Sequence, residues 1–227
     1  MTAATLAEQI AGQKAALCVV GTRRRARELY ELLPEEGRYH LSTLMTPRDR
    51  ERTLDEIRAR LRAGETCRVV STSLIEAGVD VDFPAVWREI AGLDSILQAA
   101  GRCNREGKRG ADESVVHIYT PDGNIPKAFR QQVEAAQSIL AQYDDSNTRE
   151  AITAYFKKLF WMRGDDALDS KNVLQHEDAF EFRQTADAFE LIPKETMTVY
   201  IPTDVNADDL RLLRQGMFSR TLMRRLG

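Results

Sequence analysis

Three residues in the run Gln98-Ala99-Ala100-Gly101-Arg102-Cys103-Asn104-Arg105 are suited to one kind of chemistry. A triphosphate undergoing cleavage gathers negative charge on the phosphoryl group in transfer. A planar, permanently charged guanidinium stabilises that charge, and such a finger is worth about 10³–10⁵ in rate. Arg102 and Arg105 are three apart at a helix end and so point roughly the same way. Upstream, Gly78 and Asp80 form a second pair. Glycine lets a ligand come close to the backbone, and a carboxylate two residues on can accept from a ribose hydroxyl. A helix end with solvated arginines and a plain turn glycine explains the same residues singly. Their spacing, after two strand signals, favours nucleotide chemistry.

The elements that must position these residues follow a regular pattern. Arg68-Val69-Val70 is a short apolar run bounded by small polar residues, the signature of a buried parallel strand. A second run, Ala85 to Ala91, follows Pro84, and Leu93 to Ala100 reads as a helix. Earlier, Ala15 to Val20 reads as a buried strand and Gly21-Thr22 as a turn capping a helix from Arg23 to Leu33. Leu29, Leu32 and Leu33 are expected inward. Arg23, Arg24, Arg25 and Arg27 crowd that helix's first turn, where cations oppose the macrodipole and a phosphate partner relieves them. Arg38 to Thr43 is a second short strand. Thr46-Pro47-Arg48-Asp49 opens a helix with a cap, a proline at the first position and a capping box, and Gly64 stops it. Ser114 to Tyr119 is the last strand. Strands alternating with helices predict an α/β fold with a parallel sheet and helices on both faces. Ligands in such folds sit beyond the carboxyl ends of the strands.

Composition narrows the classes further. Of 227 residues, 43% are hydrophobic and 30% charged, which suits a soluble protein with a real core, and the net charge of −3 argues against a generally basic nucleic-acid coat. Three cysteines (Cys18, Cys67, Cys103), no C-x-x-C and no signal peptide fit a reducing cytoplasm, the expected compartment. No apolar run nears the roughly 20 residues that span a bilayer. The three histidines lie far apart, so no metal site is expected.

Ser71-Thr72-Ser73-Leu74-Ile75-Glu76-Ala77-Gly78-Val79-Asp80 resembles motif V of superfamily 2 helicases, and Gln98 to Arg105 resembles their motif VI, Q-x-x-G-R-x-x-R. The longer wording, Asp80-Val81-Asp82-Phe83-Pro84 and Ala91-Gly92-Leu93-Asp94-Ser95-Ile96 running into Gln98 to Gly107, is similar to the CRISPR-associated helicase-nuclease of type I interference systems, most closely the subtype I-C form. The resemblance covers nearly the whole chain, but only the C-terminal half of such a protein. It implies a second RecA-like domain that binds ATP with its partner domain. Gln98, Arg102 and Arg105 would face the phosphates, and Gly78 and Asp80 would border the nucleotide. The strand and turn leading to Arg23 correspond to motif IV. Arg23, Ser42, Thr43 and Thr72 would meet the backbone of single-stranded DNA. A buried turn capped by Ser42 and Thr43 is the plainer reading of that stretch.

The expected organisation is residues 1–120 as the RecA-like domain, 121–147 as a linker with a long helix from Lys127 to Tyr143, and 148–227 as part of a smaller, mostly helical α+β domain. Ile152, Tyr155, Phe156, Leu159, Phe160 and Trp161 form an aromatic-rich face expected to pack on the first domain. Asp165 to Asp187 reads as irregular, Thr196 to Ile201 as a strand and Ala207 to Gly216 as a helix. The sequence holds no G-x-x-x-x-G-K-[ST] loop and none of the family's paired nuclease histidines and aspartates. The resemblance therefore implies that an N-terminal RecA-like domain, which would hold Mg²⁺, and a nuclease domain act with this chain in cis or in trans. It also implies a CRISPR surveillance complex as partner and no membrane. The expected function is the C-terminal half of an ATP-dependent DNA helicase, inactive by itself. The alternative is a truncated or split module that binds single strands or docks on the surveillance complex without ATP turnover.

Overall fold

The run Ala15–Val20 divides its side chains between two cores. Ala16, Cys18 and Val20 pack with Leu6, Ile10 and Leu29, while Leu17 and Val19 pack with Leu54, Ile57 and Ala99. A strand buried on both faces must be apolar throughout, which is why no polar alternation appears. In the computed structural model, which describes residues 1–227 apart from Ala77, 190–198, Asp204 and Gly227 and the side chains of Ala111 and Asp166, this strand is the centre of a five-stranded sheet. The strands are β1 (Ala15–Val19), β2 (Arg38–Leu41), β3 (Cys67–Ser71), β4 (Ala85–Glu89) and β5 (Val115–Tyr119), in the order β2-β3-β1-β4-β5. All pairings are parallel, with Ala15 opposite Cys67 and Leu17 opposite Val86. The expected α/β architecture is the one observed.

Helices α1 (Ala3–Ala11) and α2 (Arg23–Leu32) supply the first core, and α3 (Pro47–Ala63) and α4 (Leu93–Ala100) supply the second. Local chemistry sets their ends. The Thr22 hydroxyl accepts from Arg25 N at 3.3 Å, and the Thr46 hydroxyl accepts from Asp49 N at 3.2 Å. Asp49 returns the contact through the Thr46 hydroxyl (2.7 Å), so the capping box closes side chain to side chain. Gly64, at φ +63°, ends α3 in the left-handed region. One expectation fails on α2: Leu32 is 49% exposed, while Leu29 and Leu33 are buried. Ala26, Leu29 and Leu33 form the i, i+3, i+7 stripe, and Leu32 lies about 100° around the helix from Leu33.

A third core joins α4 to α5 (Arg130–Leu140) and α6 (Arg149–Arg163), with Leu93, Ile96, Val133, Ile139, Tyr155 and Leu159 at its centre. The Tyr155 hydroxyl donates to Asp94 Oδ1 at 3.0 Å, and burial followed by the Asp94 charge pushes its pKa up. Only part of the aromatic face packs inward. Ala151, Tyr155 and Leu159, four apart, are buried, whereas Phe156, Phe160 and Trp161 are exposed, Trp161 by 82%. Their angular offset from the 151–155–159 stripe carries them away from the core.

The chain divides into two compact units, Met1–Leu168 and Asp169–Gly227. The first therefore includes α5, α6 and the short α7 (Asp165–Leu168), because α5 and α6 share a core with α4. The second contains α8 (Val173–Asp178), α9 (Phe182–Ala188), α10 (Ala207–Arg214) and α11 (Arg220–Leu226). Arg225 pairs with Asp209 at 2.6 Å, linking α11 to α10. Asp165 to Asp187 is thus helical in three short pieces rather than irregular. Each piece is only about one to two turns long, too short for a 3.6-residue apolar period to register. Of the strand expected over Thr196 to Ile201, residues 196–198 lie outside the described ones, and Val199, Tyr200 and Ile201 form no strand. No described helix is long and apolar enough to cross a membrane.

Candidate functional site

The C-terminal end of α4 is fastened to the segment before β4. Arg102 N and Cys103 N bond back to Ala99 O (3.0 Å) and Ala100 O (2.8 Å), closing the last turn. Phe83 N then donates to Arg102 O at 2.9 Å, and Asn104 N donates to Phe83 O at 3.0 Å. This stitch turns the Arg102 side chain inward. It is 8% exposed, with Nε donating to Ile75 O at 3.0 Å and Nη2 donating to Glu76 O at 2.6 Å. Arg102 therefore ties the motif VI stretch to the motif V stretch. Burial lowers its pKa from the ordinary arginine value, and the neighbouring Arg105 charge lowers it further. Its Nη1 makes no hydrogen bond among the described residues.

Arg105 is placed differently. Its backbone N–H donates to Asp82 Oδ1 at 2.7 Å, and Asp82 Oδ2 also accepts from Arg109 Nη1 at 2.8 Å. Asn104, at φ +48°, holds the Arg109 backbone through both ends of its amide, at 2.8 and 3.0 Å. On this braced loop the Arg105 side chain is 43% exposed and pairs with Asp80, Nε to Oδ1 at 2.7 Å; the Asp80 side chain is 79% exposed. Two candidates that the sequence suggested independently thus meet as an open ion pair. Such exposed pairs are worth about 0–1 kcal/mol and exchange readily. Gly78 sits at φ +71° with open space where a Cβ would stand, so its backbone conformation, rather than crowding, calls for glycine. Gln98 is exposed on α4, one turn before Arg102. A cleft of about 460 Å³ flanked by Arg58, Asp80, Asp82, Lys108 and Arg109 adjoins this group. Among the described residues no cluster of three His, Cys, Asp or Glu could hold a metal ion.

The other four candidates gather at the carboxyl ends of β1, β2 and β3. Thr72 N donates to Leu41 O at 3.1 Å, so the turns after β2 and β3 lie side by side. Thr72 is 7% exposed, and its hydroxyl is buried without a hydrogen-bond partner among the described residues. Ser42 is buried at 4%, and Thr43 is exposed. Arg23 and Arg24 are exposed at the start of α2 and flank, with His40, Ser42 and Leu44, a groove of about 610 Å³. The crowded arginines of α2 separate into two groups. Arg25 turns to buried Glu89 (2.5 Å) and Arg27 pairs with Glu31, while Arg23 and Arg24 have no charged partner among the described residues.

Sequence reasoning missed a buried polar frame beneath both groups. Arg88 and Glu89 lie in β4, within the run read as apolar, and are 3% and 4% exposed. Glu89 accepts from Gly21 N at 2.9 Å. Arg88 donates to Glu89 O at 2.9 Å and to Val19 O at 3.4 Å, and its Nη2 lies 2.9 Å from Glu76 Oε1. That pair is too poorly aligned to make a hydrogen bond, leaving Glu76 Oε1 and Arg88 Nε without such partners among the described residues. Burial pushes the Glu76 carboxyl up from its ordinary value; Arg88 and then the Ser95 hydroxyl oppose the shift, and Asp94 adds to it. Two adjacent charges inside an otherwise apolar strand were the available signal, since charges are buried only when paired.

Residues 12–108 match the family model for the C-terminal region of the CRISPR-associated nuclease/helicase Cas3. The chain is 34% identical over 148 residues to a CRISPR-associated nuclease/helicase Cas3 of Haloferax volcanii, covering 52% of this chain and 16% of that protein. It is 30% identical over 121 residues to a CRISPR-associated helicase Cas3 of Thermoproteus tenax, covering 53% and 21%. It thus spans about a fifth or less of the curated relatives' length. In three dimensions it is similar to the T. fusca Cas3–ATP crystal structure, with a TM-score of 0.58 and 18% identity over 82% of this chain and 24% of that one, a likeness of fold. The motif spacing, the parallel sheet that carries it and these matches converge on one likeness: residues 12–108 are similar to the C-terminal helicase region of the Cas3 family.

Proposed function

We propose that this chain supplies the arginine-bearing wall of an ATP-dependent, single-strand-translocating DNA helicase acting in CRISPR interference. The observation that carries the reading is the contrast at motif VI: Arg105 stands open to solvent in a weak pair with Asp80, on a loop braced by Asp82 and Asn104, while Arg102 fixes motif VI to motif V. ATP, present in the T. fusca relative, supplies a transferable γ-phosphoryl group. The residues here fit one wall of such a site. Arg105, released from Asp80, offers a guanidinium to developing phosphate charge. Arg102 keeps Nη1 for the same purpose, Gln98 lies one helical turn behind, and Gly78 and Asp80 border the sugar. A P-loop and a Mg²⁺ site belong to the other, N-terminal RecA-like domain, in cis or in trans. Arg23, Thr43, Ser42 and the unpartnered Thr72 hydroxyl meet the phosphate backbone of a single strand.

The test is steady-state ATPase of the helicase that joins this chain to its P-loop domain, as wild type and as Arg105→Ala. A fall in kcat of about 10² or more at unchanged melting temperature is expected. Near-wild-type kcat would overturn the assignment. The isolated chain should show no appreciable hydrolysis, and DNA-stimulated turnover by it at ordinary helicase rates would equally contradict the reading.

A further inference from the structure

Glu76 contacts both groups of candidate residues and belongs to neither. Its backbone carbonyl accepts from Arg102, its carboxylate faces Arg88 of β4, and its own N–H bonds to Ser73 O within the 3₁₀ turn (Ser73–Ile75) that follows Thr72. Arg88 in turn reaches Val19 O at the end of β1 and lies beside Glu89, which holds Gly21 N and Arg25. One buried chain of contacts therefore runs from the strand-contacting turn to the arginine that anchors motif VI. Buried ion pairs are weak stabilisers, because desolvation offsets the attraction, and an apolar pair of similar volume is often as stable or more so. This pair is also poorly aligned, leaving Glu76 Oε1 and Arg88 Nε without hydrogen bonds among the described residues. Stability alone does not account for it.

We infer that Glu76 and Arg88 are positioning residues for ATP turnover: together they hold the Thr72–Ile75 turn and Arg102 as one unit, so that a strand bound at the turn sets the geometry of motif VI. The inference rests on the proposed function above. Neither residue touches nucleotide or DNA; each acts through Arg102 and the turn.

The test uses the same complete helicase. Removing one partner leaves a buried charge and risks the fold, so the informative variant removes both: Glu76→Gln with Arg88→Met. We expect its melting temperature to stay near wild type, DNA-stimulated kcat to fall tenfold or more, and KM for ATP to change less than twofold, since the nucleotide-bordering residues remain. Arg88→Lys is the second variant. It keeps the charge but loses the planar fork that donates to the carbonyls of Val19 and Glu89 while facing Glu76, and it should lower kcat in the same way at unchanged melting temperature. Wild-type kcat in whichever variant is folded would overturn the inference and leave the pair a packing feature. A folded variant whose KM rises while kcat holds would overturn it too. Arg105→Ala, measured alongside, separates the two failures: if that variant also turns over normally the proposed function fails, and if only the pair variants do, this inference alone falls.

Discussion

Two ion pairs lie at either end of Arg102. Arg105–Asp80 has side chains 43% and 79% exposed; Arg88–Glu76 has side chains 4% and 6% exposed. The outer pair is short, solvated and replaceable at little cost. The inner pair is sealed, and each charge there depends on the other. A group that must exchange its partner for a phosphate has to be held weakly. The frame that aims it has to be rigid, and burial provides that. The difference teaches that the two arginines are held differently: the Arg105 side chain is open in an exposed pair, while Arg102 is tied inward to the carbonyls of Ile75 and Glu76; on the proposed reading the first is the freer to meet a phosphate.

The largest effect should come from breaking the inner pair on one side. Arg88→Ala leaves Glu76 buried without its partner and should cost about 3–5 kcal/mol in chemical denaturation. The thiols of Cys18 and Cys67, raised to about 12 chiefly by burial, offer a second readout. In wild type at pH 8 they should resist alkylation, and in Arg88→Ala they should label as the fold opens. If the variant unfolds like wild type, the inner pair contributes nothing to the frame. Next comes the outer pair: Arg105→Ala should lose about 10² in kcat with stability within about ±0.5 kcal/mol. Arg105→Lys should recover little, because a compact ammonium cannot reproduce the fork; full recovery in the lysine variant would reduce the role to simple charge.

A smaller effect is expected at the strand ends. The isolated chain should bind single-stranded DNA weakly and with steep salt dependence. Arg23→Ala should flatten the log–log salt slope by about 0.7, the single-strand share of one phosphate contact, in anisotropy titrations at several salt concentrations. An unchanged slope removes Arg23 from the path. Smallest of all, Asp80→Asn should move stability by less than about 1 kcal/mol, since its pair is exposed. A large loss of stability there would erase the contrast between the two pairs.

Much of the frame's outline was legible from local chemistry. Thr22, Thr46, Pro47 and Gly64 marked helix ends, and Leu93 to Ala100 was read to its boundaries, because caps and apolar spacing are local signals. The Arg105–Asp80 meeting was half legible: each residue was singled out, but not their contact. Arg88, Glu89 and Glu76 were not. Their partners lie far along the chain, and a single sequence does not pair distant charges. The exposed Leu32, Phe156, Phe160 and Trp161 were misjudged for a related reason, since hydrophobicity says that a side chain can be buried while helical angle and the available neighbours decide whether it is.

The position of β1 bears on how the chain comes to be folded at all. It is the central strand and the first of the five to be made, yet Ala15 must wait for Cys67 and Leu17 for Val86 before both edges are covered. Until β4 has been synthesised, the apolar run Ala15–Val20 keeps at least one unpaired edge, the condition under which strands join the wrong neighbour. Non-local parallel pairing is also intrinsically slow. The α1 helix, built just before β1 and packed against one of its faces through Leu6 and Ile10, is positioned to cover that apolar face during synthesis, while the edges still wait for their strands.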